Sequence, residues 1–145
     1  MRDTPDKIES LMDHQIFVFG SNTEGRHGKG AALVAIEKFG AVYGQAKGLQ
    51  GNSYAVITKD LTKPFNERMR SVSLESIQIQ VNELIEFAKK SDYFTFFVTE
   101  IGCKHAGFKI REIAPMFTAA KNVENIYLPK RFWRELYYRD QHAIF

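Results

Sequence analysis

The hydrophobic and polar positions of the chain follow two alternating periods, one typical of strands and one typical of helices. Short apolar or aromatic runs predict strands over residues 16–19, 54–57, 93–98 and 125–128. Apolar residues that recur every three or four positions predict helices over residues 30–39, from Ser73 onwards, over 110–120 and over 130–138. Strands that alternate with helices in this way predict an α/β fold with a largely parallel sheet and right-handed crossovers.

The helix that begins at Ser73 has the clearest pattern. Its apolar stripe consists of Leu74, Ile77, Val81, Leu84, Ile85 and Ala88. Between the predicted elements, residues 1–13 are polar and predict a leader with at most a short helical turn over 8–12. Residues 41–53 contain three glycines and predict a surface loop. Residues 130–145 predict a C-terminal helical tail, and we expect its aromatic residues to dock on the sheet.

Two glycine-containing loops each follow a predicted strand. The first loop runs from Gly20 to about Lys29 and leads into a helix, and the second runs from Thr99 to Phe108. Because the carboxyl ends of parallel strands lie at one edge of a sheet, we expect both loops at the same edge. A junction of strand, glycine loop and helix directs backbone N–H groups and the positive helix end at one point. The sequence therefore predicts a site for a phosphate-bearing ligand at this edge.

The composition limits the class of protein. A length of 145 residues predicts a single domain over 1–145, and 44% hydrophobic residues are enough for a packed core. The net charge of +3 is mild and does not by itself indicate nucleic-acid binding. Cys103 is the only cysteine, which excludes an internal disulfide framework. No apolar run is long enough to span a bilayer and no signal peptide is recognisable, so we expect no membrane association and a cytoplasmic location.

Both loops resemble those of the macro domain, a module that binds ADP-ribose. Residues 17–22 (Phe-Val-Phe-Gly-Ser-Asn) and 28–31 (Gly-Lys-Gly-Ala) are similar in type and order to its first loop. Residues 101–108 match its second loop at Ile, Gly, Gly and Phe. The run over 19–32 is similar to that of a group of bacterial and phage proteins with Phe-Gly-Ser-Asn-x-x-Gly-Arg-His-Gly-x-Gly-Ala-Ala. The resemblance covers about residues 15–129 and implies a three-layer α/β/α fold with a mostly parallel central sheet.

This resemblance implies ADP-ribose or an ADP-ribosylated macromolecule as the ligand, with nucleic acid only as a modified substrate. The residues expected to bind it are Gly20, Ser21, Asn22, Gly28, Lys29, Gly30, Ala31, Lys59, Ile101, Gly102, Cys103, Lys104, His105, Ala106, Gly107 and Phe108. In the family the residue that matches Asn22 bonds the distal ribose. The alternatives are that Asn22 only shapes a turn, that Cys103 is a small packing residue and that Phe108 belongs to the core.

Three departures from the family bear on catalysis. Lys29 and Lys104 stand at usual glycine positions, and residues 31–33 (Ala-Ala-Leu) replace the acidic residue of some hydrolytic macro domains. The candidate catalytic residues are Asn22 as the orienting group, with Glu24, His27 or Glu100 as the base. Each candidate also has an ordinary interpretation as a turn or surface residue.

Three functional hypotheses therefore stay open. The first is a hydrolase that cleaves the bond at the distal ribose, either as an ADP-ribosyl hydrolase or on a phosphate ester of ADP-ribose. The second is a non-catalytic binding module for ADP-ribose or another nucleotide derived from NAD. The third is a different Rossmann-like nucleotide binder with a convergent loop. No cofactor is expected, and the two loop histidines have no further ligand spacing that predicts a metal site. The sequence does not predict an oligomeric state.

Overall fold

The computed structural model describes residues 1–64, 67 and 69–142, and it confirms an α/β fold. Its strands are β1 (Gln15–Asn22), β2 (Gly48–Gln50), β3 (Ser53–Lys59), β4 (Thr95–Val98) and β5 (Ile126–Tyr127). Its α-helices are α1 (Gly30–Lys38), α2 (Leu74–Lys89), α3 (Ile110–Ile113) and α4 (Lys130–His142), and a 3-10 helix spans Ala114–Asn122. Residues 143–145 of the predicted C-terminal tail lie outside the described residues.

The five strands form one mixed sheet in the order β2-β3-β1-β4-β5. The pairs β1–β3, β1–β4 and β4–β5 are parallel, which confirms the predicted mostly parallel sheet. Strand β2 pairs antiparallel with β3 and lies inside the predicted surface loop 41–53, so that prediction was wrong over three residues. A strand of three residues is too short to show a hydrophobic period, and its register is fixed only by the turn that joins it to β3.

Alternate residues of β1 pack into two separate hydrophobic clusters. Ile16 and Val18 belong to the cluster that contains α2, α3, the 3-10 helix and α4. Phe17 and Phe19 belong to a smaller cluster with the buried alanines of α1. The alternation follows from the pleat of a strand, which directs successive side chains to opposite faces. The four-residue apolar run seen in the sequence is therefore a strand that is buried on both faces.

Helix α2 begins where the sequence predicts it. The Ser73 Oγ atom accepts a hydrogen bond from Ser76 N–H at 3.1 Å and caps the helix. The predicted stripe from Ile77 to Ala88 is buried, whereas Leu74 is 37% exposed. The predicted helix over 110–120 is α-helical only as far as Ile113 and continues as a 3-10 helix. Pro115 explains the change, because proline has no N–H and its ring clashes with the carbonyl four residues earlier.

The N-terminal residues are bound to the sheet and are not a free polar leader. Asp3 forms a parallel bridge with Leu128, and Thr4 N–H donates to Leu128 O at 2.8 Å. The Arg2 guanidinium lies 5.4 Å from the Trp133 ring centre, and Trp133 Nε1–H donates to Arg2 O at 2.9 Å. Residues 8–12 contain no helix. The sequence pattern missed this attachment because its partners are carbonyl groups of residues 98 and 120–128, which are distant in the chain and leave no local hydrophobic period.

Helix α4 docks as predicted, with Phe132, Trp133 and Leu136 buried in the larger cluster. None of the helices within residues 1–64, 67 and 69–142 has both the length and the apolar character needed to cross a membrane.

Candidate functional site

A cavity of about 840 Å³ opens at the carboxyl edge of the parallel strands. Gly20, Thr58 and Thr99, which lie at or just beyond the ends of β1, β3 and β4, border it. Strand β1 stays paired with β3 as far as Asn22, whereas its pairing with β4 ends at Val18. The chain passes from β1 to β3 on one side and then to β4 on the other side of β1. Such a reversal of strand order leaves a crevice in which α/β proteins bind ligands.

The two glycine loops meet at this crevice, as the sequence predicts. A Cβ atom on Gly20 would lie 3.5 Å from Gly102 N, so the backbones of the two loops approach closely. A Cβ atom on Gly30 would lie 2.8 Å from His105 Nε2, and the φ angle of Gly30 is +55°. Gly30 therefore provides both the left-handed backbone and the space for the His105 ring. The two glycine loops, which are about 80 residues apart in the chain, together form one wall of the cavity.

The N-terminus of α1 points to the same place without a side-chain cap. Lys29 is the N-cap residue and forms no capping hydrogen bond, whereas Ser73 caps α2 and Glu112 belongs to a capping box on α3. Lys29, Gly30 and Ala31 border the cavity. Uncapped N–H groups and the positive end of a helix dipole bind anions favourably. The first turn of α1 is therefore able to accept a phosphate.

Positive charge predominates around the cavity. The charged residues that border it are Lys7, Lys29, Lys38, Lys104, Lys130, Arg131 and Arg134, against Asp6, Glu9 and Glu100. Each of the three carboxylates is already in an ion pair: Asp6 lies 3.9 Å from Lys130, Glu9 lies 3.2 Å from Lys7 and Glu100 lies 2.6 Å from Arg131. No ion pair involves Lys29, Lys38, Lys104 or Arg134 within the described part of the chain. The cavity thus has more positive charge than its own carboxylates balance, which favours an anionic ligand.

Of the four candidate catalytic residues, Glu100 is the one that borders the cavity. Arg131 binds its carboxylate at both oxygens, with Nε to Oε2 at 2.7 Å and Nη2 to Oε1 at 2.6 Å. The hydrogen bond from Arg131 holds the pKa of Glu100 below its ordinary value, and the charge of Lys104 acts in the same direction. The carboxylate is therefore ionised and rigidly held. It can orient a polar group of a ligand, but it is a weak base.

The other three candidate catalytic residues do not border the cavity. Asn22 holds its own turn: Oδ1 accepts from Glu24 N–H and Arg26 N–H, and Nδ2 donates to Arg26 O at 3.0 Å. The Glu24 carboxylate pairs with Arg26 at 2.8 Å. These contacts match the turn interpretation of Asn22, in which its amide bonds the backbone a few residues later.

His27 is 2% exposed and links the first loop to β2. Its Nε2 lies 3.1 Å from both Gln45 O and Gln50 Oε1. Val42 N–H also donates to Gln50 Oε1, so this oxygen is an acceptor and His27 Nε2 carries the hydrogen. The ring packs edge-on against Phe19 at 5.1 Å. His27 thus holds the first glycine loop against β2 and does not border the cavity.

The predicted binding residues divide into two groups. Those that border the cavity are Gly20, Lys29, Gly30, Ala31, Ile101, Gly102, Lys104, His105 and Ala106. Those that do not border it are Ser21, Asn22, Gly28, Lys59, Cys103, Gly107 and Phe108. Phe108 packs against the larger hydrophobic cluster beside Gly102. Burial raises the pKa of the Cys103 thiol to about 12, and the Glu100 carboxylate acts in the same direction.

Two further segments border the cavity that the sequence did not indicate. Residues 4–9 of the N-terminal segment form one side, and residues 129–131 with Arg134 contribute from the start of α4. Both segments lie outside the glycine loops and contain no glycine, so the glycine pattern did not indicate them. Among the residues that the structure describes, no group of three His, Cys, Asp or Glu side chains is arranged to hold a metal ion.

Comparisons with protein-family models, with curated proteins and with solved structures found no match to this chain.

Proposed function

We propose that this chain is a binding module for ADP-ribose or a closely related ADP-ribose conjugate, with the diphosphate held between the two glycine loops. We also propose that its architecture is a three-layer, macro domain-like fold and that it acts in the cytoplasm. One observation carries the binding proposal: the uncapped first turn of α1, the second loop and four cations without an ion pair all border one cavity. Its size falls in the range typical of small-molecule sites.

Binding without turnover is the function that the geometry supports best. General acid–base catalysis needs a group that reaches the reacting atoms and changes its protonation there. Asn22, Glu24 and His27 are occupied by contacts outside the cavity. Glu100 is inside, but its lowered pKa and its two bonds to Arg131 make it a poor base.

Hydrolysis at the distal ribose is the second candidate function, and Glu100 favours it. An ionised carboxylate at the cavity can orient a water molecule towards an anomeric carbon, and the phosphates of the ligand can assist the cleavage. Incubation with an ADP-ribosylated protein, followed by an assay for released ADP-ribose, separates the two functions. The binding module predicts no release above a control without protein, and release that Glu100→Gln abolishes would establish the hydrolase.

Calorimetry with ADP-ribose tests the binding proposal directly. We expect saturable binding with one site per chain and a loss of about fivefold or more in Lys104→Met, because one charge that faces the phosphates is removed. Lys90→Met is the matched control, since Lys90 is an exposed residue at the end of α2 and does not border the cavity. Absence of binding to the parent protein, or equal losses in the two variants, would contradict the proposal.

A further inference from the structure

Three residues at the ends of β3 and β4, namely Thr58, Thr99 and Glu100, border the cavity and form what we call the acceptor patch. The Thr58 hydroxyl donates its hydrogen to Ser21 O at 3.2 Å, and the Thr99 hydroxyl donates its hydrogen to Val18 O at 2.7 Å. A hydroxyl group has one hydrogen and two lone pairs. Because both hydrogens are already bound to β1, the two threonine oxygens can only accept a further hydrogen bond.

Glu100 adds a charged acceptor to this patch. Arg131 binds its two carboxylate oxygens at 2.7 and 2.6 Å, and 22% of the Glu100 side chain is exposed. An ionised carboxylate has about four lone-pair positions, and the two bonds from Arg131 occupy two of them. The carboxylate can therefore still accept hydrogen bonds from a ligand, in a position that Arg131 has already fixed.

The other end of the cavity offers donors. The first turn of α1 has N–H groups without a side-chain cap, and the ammonium groups of Lys29 and Lys104 can donate but not accept. Phosphate oxygens accept hydrogen bonds and carry negative charge, so a phosphate fits this end and would be repelled by Glu100 at the acceptor patch. The two ends of the cavity therefore require different groups of one ligand.

The acceptor patch lies close to the place proposed for the diphosphate. Glu100 precedes Gly102 of the second glycine loop by two residues, which span at most about 7 Å. A Cβ atom on Gly20 would lie 3.2 Å from Thr58 Oγ1 and 3.5 Å from Gly102 N. A sugar that is joined directly to the diphosphate is long enough to cover this separation.

We propose that Thr99 and Glu100 determine specificity by accepting hydrogen bonds from the hydroxyl groups of a sugar bonded to the diphosphate. This inference rests on the proposed function and narrows its ligand class to nucleoside diphosphate sugars. Such a sugar supplies several hydroxyl donors and no charge. The ribose contact that the family resemblance assigns to Asn22 falls instead to residues that follow β4, because the Asn22 amide is bonded within its own turn.

The test compares two ligands of equal charge by calorimetry. One is ADP-ribose, and the other is the pentyl ester of ADP, which has the same diphosphate and an alkyl chain in place of the distal ribose. We expect the parent protein to bind ADP-ribose at least about tenfold more tightly, because a hydrogen bond to a charged group is among the stronger ones. The ratio of the two affinities is the measured selectivity.

Three variants assign this selectivity to the acceptor patch. Thr99→Val removes the hydroxyl, while the backbone N–H of residue 99 still donates to Val18 O at 3.1 Å. The selectivity should fall at least about threefold in Thr99→Val and in Glu100→Gln, whereas Thr99→Ser keeps the hydroxyl and should keep the selectivity. Thr118→Val is the matched control, since Thr118 is exposed, donates its hydroxyl to Pro115 O at 2.7 Å and does not border the cavity.

The outcomes separate this inference from the proposed function. If both ligands bind the parent protein equally tightly, the inference is wrong and the diphosphate-binding module stands. If the selectivity persists in Thr99→Val and Glu100→Gln, other residues bind the sugar, which also overturns it. A variant that weakens both ligands by one factor shows a structural role only, and a loss of selectivity in Thr99→Ser as well would exclude the hydroxyl as its cause. If neither ligand binds the parent protein, both the proposed function and the inference fail.

Discussion

A carboxylate placed at the first turn of α1 should have opposite effects on folding and on binding. Ala31 borders the cavity and lies at the uncapped N-terminus, so Ala31→Glu puts a negative charge where we place the diphosphate. A negative charge at a helix N-terminus stabilises the helix by about 0.3–1 kcal/mol. The same charge 4 Å from a phosphate costs about 4 kcal/mol at an effective dielectric constant of 20. Salt screening reduces this repulsion, and we expect at least a hundredfold loss of affinity for ADP-ribose.

Leu33→Glu is the matched control for this prediction. Leu33 is 38% exposed, lies in the same first turn and does not border the cavity, so its variant gains the helix stabilisation without meeting the ligand. Calorimetry measures the affinities, and urea unfolding measures the free energy of unfolding of both variants. We expect similar stabilities and a selective loss of binding in Ala31→Glu. Equal affinities for ADP-ribose in the two variants would refute the placement of the anion at α1.

Three further predictions follow from the loops and from Glu100. Gly25 has a φ angle of +65° and a Cβ atom there would lie 2.6 Å from Gly44 C, so Gly25→Ala should lower the free energy of unfolding by more than about 2 kcal/mol. Gly44→Ala, with an open position at φ +95°, should cost only about 1–2 kcal/mol in urea unfolding, and equal costs would contradict the clash. Cys103, with its pKa raised to about 12, should react with iodoacetamide at pH 8 far more slowly in the folded than in the urea-unfolded protein; equal rates would disprove its burial. The lowered pKa of Glu100 means that its bond to Arg131 stabilises the fold above the ordinary carboxylate pKa of about 4.3 and loses this effect as the pH falls through the lowered value. The free energy of unfolding of the parent protein should therefore exceed that of Glu100→Gln by about 1 kcal/mol or less at pH 7, and this difference should decrease as the pH falls below about 4.3. A difference that does not change with pH would show another origin.

The hydrophobic pattern predicted the elements that are long and regular. Two examples are helix α2, with its Ser73 cap and its buried stripe from Ile77 to Ala88, and the buried run over 16–19. In both, the local sequence favours the same structure that packing in the core stabilises. The missed elements depend on distant partners. Strand β2 exists because of its pairing with β3, and residues 3 and 4 are ordered by backbone bonds to Leu128.

The candidate site was predictable only where backbone shape defines it. Glycines mark the loops that approach each other at Gly20 and Gly102, and this convergence follows from the parallel sheet. Side-chain roles were harder to foresee. The residue type of His27 indicates proton transfer, but its environment buries it against Phe19 and Gln50. Only the tertiary structure shows which polar side chains are already bonded and which face the cavity.

An NMR titration of backbone amides with ADP-ribose shows most directly whether a diphosphate binds between the two glycine loops. If the diphosphate binds between the loops, the amide signals of Gly30, Ala31, Gly102 and Ala106 should shift with a common saturation curve. Amides of the opposite strand ends, such as those of Gln15 and Thr95, should stay in place. Saturable shifts confined to residues away from the cavity, or no shifts at millimolar ADP-ribose, would show that the diphosphate does not bind between the loops.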